Sequence, residues 1–216
     1  MPTPDQHPPD ALLLLAPGCA HCPGVLRGLA ELLEQGRLGR LEAVNVVAHP
    51  EAAQAVGTRS VPWIRIGPFE LEGAQTPGEL AEWTQAAAEG GGMGRYLTHL
   101  LETQRLPKVL GMVEQDPDLL PELVQIAADL EAPMAARIGI GALFEELAER
   151  GRLTPAIPEL AALTRAEAPQ VRADACHYLA LTRSPQARPH IEALLDDPDP
   201  QVREIAAESL PLIPEA

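Results

Sequence analysis

Residues 11–39 read "ALLLLAPGCAHCPGVLRGLAELLEQGRLG", and their pattern changes once. The first part is a short apolar run closed by Pro17-Gly18, which reads as a buried strand because strands are brief and stop at turn-forming residues. The last part spaces Val25, Leu26, Leu29, Leu32 and Leu33 along one face of a helix. Between them stand Cys19 and Cys22, separated by two residues, with His21 inside the pair and Pro23 just beyond it. The strand-to-helix change therefore puts a cysteine pair where a helix begins.

Alternation continues outward from this point. "LEAVNVVA" reads as a second strand, "PEAAQAV" as a short helix, "VPWIRIG" and "FELEGA" as two more strands, and "TPGELAEWTQAAA" as a closing helix. In that last segment Thr76 supplies the N-cap, Pro77 the first turn and Glu79 the third position of a capping box. The order β-α-β-α-β-β-α predicts an α/β domain over residues 11–89 with a small mixed sheet. Residues 1–10, Pro-rich and polar, read as a disordered lead, and the glycines of "EGGGMGR" make residues 90–95 an interdomain linker.

A chain of 216 residues buries cores without staples, so its three cysteines are not a disulfide framework. Only Cys19 and Cys22 are close enough in sequence to act together. A first cysteine at a helix N-terminus faces free backbone N–H groups and the positive end of the helix dipole, which favours its thiolate. That makes Cys19 the nucleophile and Cys22, one turn in and shielded, the resolving thiol. Two other readings compete. Structural zinc needs four ligands, usually two spaced pairs, and Cys19, Cys22, His21 and His49 offer one pair only. Buried inert thiols fit poorly with a turn rich in proline and glycine.

"GCAHCP" and, forty residues on, the Val-Pro of "SVPW" together resemble the thioredoxin family. The resemblance covers roughly residues 10–88 and is closest to the minimal, glutaredoxin-like dithiol members, since there is no room for an extra N-terminal strand and helix. It implies that Pro62 is a cis-proline lying against the cysteine pair, with Val61 and Trp63 beside it at the substrate groove. Trp63 has two positions open to it, packed under the sheet or flanking that groove. Leu13 stands where such proteins commonly carry a buried carboxylate, and Gly18 where they carry tryptophan. His21 precedes Cys22 as in the strongly oxidising relatives, and a positive imidazole there tunes the Cys19 thiolate, making the couple more oxidising. No cofactor and no metal is expected.

Beyond the linker the chain repeats itself. "PELVQIAADLEAPMAARIGIGALFEEL", "PELAALTRAEAPQVRADACHYLALT" and "PHIEALLDDPDPQVREIAAESLPLI" align, with leading prolines at 121, 158 and 189 and arginines at 137, 172 and 203. Each unit holds two short amphipathic helices around an acid- and proline-rich turn, the mark of a helical solenoid. This resembles the HEAT-repeat family across residues 116–216, with 93–115 as a degenerate capping repeat, and implies an all-α solenoid over 96–216. Cys176 reads as a packed thiol, and Arg172 and Arg203 as partners of turn acids such as Asp197 or Asp199.

The 31 acidic and 16 basic residues give a net charge of −15, split −6 and −9 between residues 1–92 and 93–216. Such a surface repels phosphate backbones and anionic lipid, so neither nucleic acid nor membrane is an expected partner. The start lacks a basic signal-peptide region, and a cytoplasmic location is expected. The sequence thus predicts a thiol–disulfide oxidoreductase whose solenoid docks a protein substrate or redox partner. Its rival is a non-catalytic scaffold or redox-sensing adaptor.

Overall fold

The computed structural model describes residues 7–214. The chain divides between Gly92 and Met93 into two compact units. In the first, strand β1 (Asp10–Leu15) is followed by helix α1 (Cys22–Glu34), β2 (Arg40–Asn45), α2 (Pro50–Val56), β3 (Trp63–Ile66), β4 (Phe69–Glu72) and α3 (Pro77–Ala88). Of the expected lead, residues 1–6 lie outside the described residues, and β1 already starts at Asp10.

The four strands form one mixed sheet in the order β2-β1-β3-β4. β1 runs parallel to β2 and antiparallel to β3, and β3 runs antiparallel to β4. Register sets the core: Leu13 pairs with Ile64, which pairs with Leu71, and Ala11 pairs with Ile66, which pairs with Phe69. All six side chains are buried on one face, with Val25, Leu29 and Leu32 of α1 and Leu80 and Trp83 of α3 also in the core. The Phe69 and Trp83 rings lie 5.2 Å apart. A guanidinium N–H of Arg37, just after α1, donates to the Ala81 carbonyl at 2.9 Å and ties α1 to α3. On the other face, Leu14 pairs opposite Trp63, and both are buried.

Three strands are shorter than the sequence predicts, β4 ending at Glu72, before Gly73 and its positive φ. β2 stops at Asn45, whose side-chain oxygen accepts the Val47 N–H at 3.0 Å and turns the chain. β3 starts at Trp63 because Pro62 has no N–H to give the ladder.

The second unit is all helical: α4 (Met93–Glu102), α5 (Leu106–Gln115), α6 (Leu120–Ala128), α7 (Met134–Glu149), α8 (Ile157–Leu163), α9 (Pro169–Leu181), α10 (Arg188–Glu192) and α11 (Pro200–Ser209). α4 begins inside the stretch expected as linker, because Tyr96, Leu97, Leu100 and Leu101 recur at helical spacing and are buried. α4 packs on α7, α8 on α9, and α9 on α11. The mid-helix Gly139 has a packing reason: a Cβ there would lie 3.2 Å from Cβ of Leu101, so its absence lets α4 approach α7. The Phe144 and Tyr178 rings meet edge to face at 4.9 Å. No helix among the described residues is long and apolar enough to cross a membrane.

Candidate functional site

β1 delivers the chain to a turn in which the Cys19 N–H donates to the Ala16 carbonyl at 3.3 Å, with Pro17 and Gly18 in the two central positions. Gly18 has φ +81°, a left-handed conformation that a tryptophan would adopt only under strain. α1 then starts at Cys22 itself, with His21 as its N-cap and Pro23 in the first turn. The helix thus begins where the segment 22–39 places it, with Cys22 as its first residue rather than one turn in. Cys19 sits three residues ahead, where the backbone N–H of Cys22 donates to its Sγ at 3.1 Å.

The two cysteines form a disulfide with a Cα–Cα separation of 5.5 Å, inside the range such bonds span. Cys22 is 4% exposed, while Cys19 is only partly buried. Across the site, the Val61 carbonyl oxygen lies 3.8 Å from Cys19 Sγ. Its loop is folded locally: Thr58 Oγ1 accepts the Ser60 N–H at 3.1 Å and donates to the Ser60 carbonyl at 3.2 Å. The Val61–Pro62 peptide bond is cis, and the Gly73 N–H donates to the Pro62 carbonyl at 2.9 Å. Trp63 takes the packed position of the two open to it, at 2% exposure, so its ring does not line a groove. Leu13 is wholly buried. His21 is exposed, and His49 lies apart from the pair, with Nδ1 3.1 Å from Glu51. Among the described residues no three histidine, cysteine, aspartate or glutamate side chains gather to hold a metal.

In the second unit one buried pair joins successive repeats. Arg172 donates through Nε and Nη2 to both carboxylate oxygens of Asp197, each at 2.8 Å, and through Nη1 to the Ala166 and Glu167 carbonyls. The guanidinium holds the Asp197 carboxyl below the usual carboxylate range, and Asp197 in turn raises Arg172. Arg203 repeats half of this arrangement, giving Nη1 to the Asp197 and Pro198 carbonyls at 2.7 and 3.0 Å. Asp199, expected as a partner for such an arginine, instead caps α11 by accepting the Gln201 and Val202 N–H groups.

A family model of HEAT repeats matches residues 139–211. The match covers the two repeats whose arginines stand at 172 and 203, and HEAT repeats generally form protein-interaction scaffolds. No curated protein matches the chain.

One surface feature escaped the sequence reading. A cleft between α7 and α9 is lined by Met134, Arg137, Ile138, Gln170, Asp174 and Tyr178, and it continues between α9 and α11 past the same Gln170 and Asp174. Met134 and Ile138 are each 67% exposed. The aligned repeats carry Pro169 and Ala173, then Pro200 and Glu204, at those two positions, and that contrast was the available signal.

Proposed function

We propose that the N-terminal unit is a thioredoxin-like thiol–disulfide oxidoreductase and that the HEAT-like unit docks its protein client. One observation carries this reading: a disulfide-bonded Cys19–Cys22 pair at a helix start, in which the outer sulfur alone is accessible and receives a backbone N–H. The β-α-β-α-β-β-α order and the Val61–Pro62 segment facing Cys19 support the same assignment.

In the reducing direction the Cys19 thiolate attacks one sulfur of a substrate disulfide. The substrate S–S bond breaks and its other sulfur leaves as a thiolate, which takes a proton from solvent. The Cys22 thiol then loses its proton and attacks Cys19 Sγ, releasing the second substrate thiol and closing the Cys19–Cys22 disulfide. Two electrons pass to the substrate, and an external dithiol restores the pair. His21 tunes the Cys19 thiolate from its exposed position beside the pair. The Cys22 N–H stabilises that thiolate in the attack and the leaving sulfur in the reverse step.

Leu13 favours a second reading. No buried carboxylate stands on β1 to take the proton from Cys22, so resolution is slow, and the unit acts as a redox-sensing adaptor on a scaffold. Catalysed reduction of a protein disulfide by dithiothreitol separates the two. The oxidoreductase reading expects turnover, its loss in Cys19→Ser, and a trapped mixed disulfide in Cys22→Ser. An unchanged rate with and without the protein, and no adduct in Cys22→Ser, leaves the adaptor.

A further inference from the structure

We infer that the cleft of α7, α9 and α11 receives a basic, amphipathic helical segment of a partner protein, whose apolar face covers Met134 and Ile138 and whose cation reaches Asp174. The inference rests on the docking role given to the second unit but not on the chemistry of the cysteine pair.

Met134 and Ile138 are one turn apart on α7, so together they make a single apolar step along the helix, wide enough for the i, i+4 residues of a partner helix. Large side chains left 67% exposed side by side, more than the unit's exposed leucines Leu130 and Leu195 at 37% and Leu212 at 62%, mark a covered surface rather than chance exposure. The floor of the cleft is also apolar: Ile140 and Tyr178 line it between α7 and α9, and Val202 and Ile205 between α9 and α11.

Charge chooses the occupant. Residues 93–216 carry a net charge of −9, and the two joined clefts present the carboxylates of Asp174 and Asp199. Asp199 is committed to capping α11, which leaves Asp174 as the available anion. Asp174 already faces Arg137, whose Nη2 lies at 4.0 Å, and the charges of Arg137 and His177 offset only part of the burial that raises its pKa, so a partner's cation adds a favourable interaction there. An acidic helix or an anionic surface meets repulsion at the same place. Electrostatic attraction then speeds encounter, and the apolar step sets the register.

The test uses the full chain and a labelled peptide of leucine and lysine in amphipathic order, with a leucine–glutamate peptide as its counterpart, read by fluorescence anisotropy. The expected result is saturable one-to-one binding of the lysine peptide alone, weakening as salt rises. Affinity falls roughly fivefold, equivalent to about 1 kcal/mol, in Asp174→Asn and in Ile138→Ser, and stays unchanged in Asp196→Asn, which removes an equal charge outside the cleft. Met134→Ser, on a side chain too exposed to matter for folding, gives the same loss. Three results overturn the inference: Asp196→Asn weakening binding as much as Asp174→Asn, wild-type affinity in both Ile138→Ser and Met134→Ser, or a dimer in sedimentation that Ile138→Ser dissolves. None of them bears on turnover at Cys19.

Discussion

Cys19, Cys22 and Cys176 share a side chain and differ in what surrounds the sulfur. Burial pushes the Cys176 thiol up to about 11, against a smaller opposite pull from the Ser209 hydroxyl, so at pH 8 roughly one molecule in a thousand holds it as thiolate. Reduced protein treated with an aromatic disulfide reagent should therefore release one equivalent as Cys19 attacks the reagent and a second as Cys22 displaces the aromatic thiol from Cys19 and closes the disulfide. A third should appear only in denaturant; three equivalents released without denaturant would show that Cys176 is reachable. Asp197 gives a pH signature of a different kind. Its folded-state pKa lies below the unfolded value of about 3.9, so its pairing with Arg172 stabilises fully above that value and is lost as pH falls through the lower one. Urea midpoints of wild type and Asp197→Asn should differ clearly at about pH 7 and converge as the pH falls below the folded-state pKa. The pair with Asp197 was legible from the repeat alignment, but the two carbonyls that Arg172 also holds were not, because an alignment of side chains does not show where backbone oxygens point.

Among the elements, α3 carries the most complete local signature. Thr76 Oγ1 accepts the Glu79 N–H at 3.2 Å, and Glu79 Oε2 accepts the Thr76 N–H at 2.7 Å. Thr76→Ala removes the first of these and should lower the unfolding free energy by about 1 kcal/mol, measured by urea titration with Thr76→Ser as the near-neutral control. This helix, the repeats and the β-α-β-α-β-β-α order were readable because each rests on local rules: a capping box, a fixed period, an apolar run bounded by turns. The start of α1 was legible for an equally local reason. Cys-x-x-Cys spacing does not say which cysteine enters the helix, whereas Pro23, suited to a first turn and lacking an N–H, fixes the start at Cys22. The burial of Trp63 was not legible, since a strand residue after proline can point to either face until the register with Leu14 is known.

At the scale of the whole molecule, the connection between the units is the weak point of the backbone. Glu89, Gly90 and Gly91 are exposed and follow the end of α3, with three glycines in succession to Gly92. A glutamate-specific protease at low dose should cut after Glu89 first and leave two fragments that each keep a cooperative thermal transition. Early cuts within α7 or α9 would count against two independent units. The chain's two tryptophans, Trp63 and Trp83, both lie in the core of the first unit, whereas the second unit has none and holds most of the helix. Nature has thereby labelled the halves for separate optical readout: indole emission reports the sheet and the cysteine pair, and far-ultraviolet circular dichroism reports mainly the repeats. Superposition or divergence of the two melting curves then measures, without any added probe, how much each half's folding depends on the other.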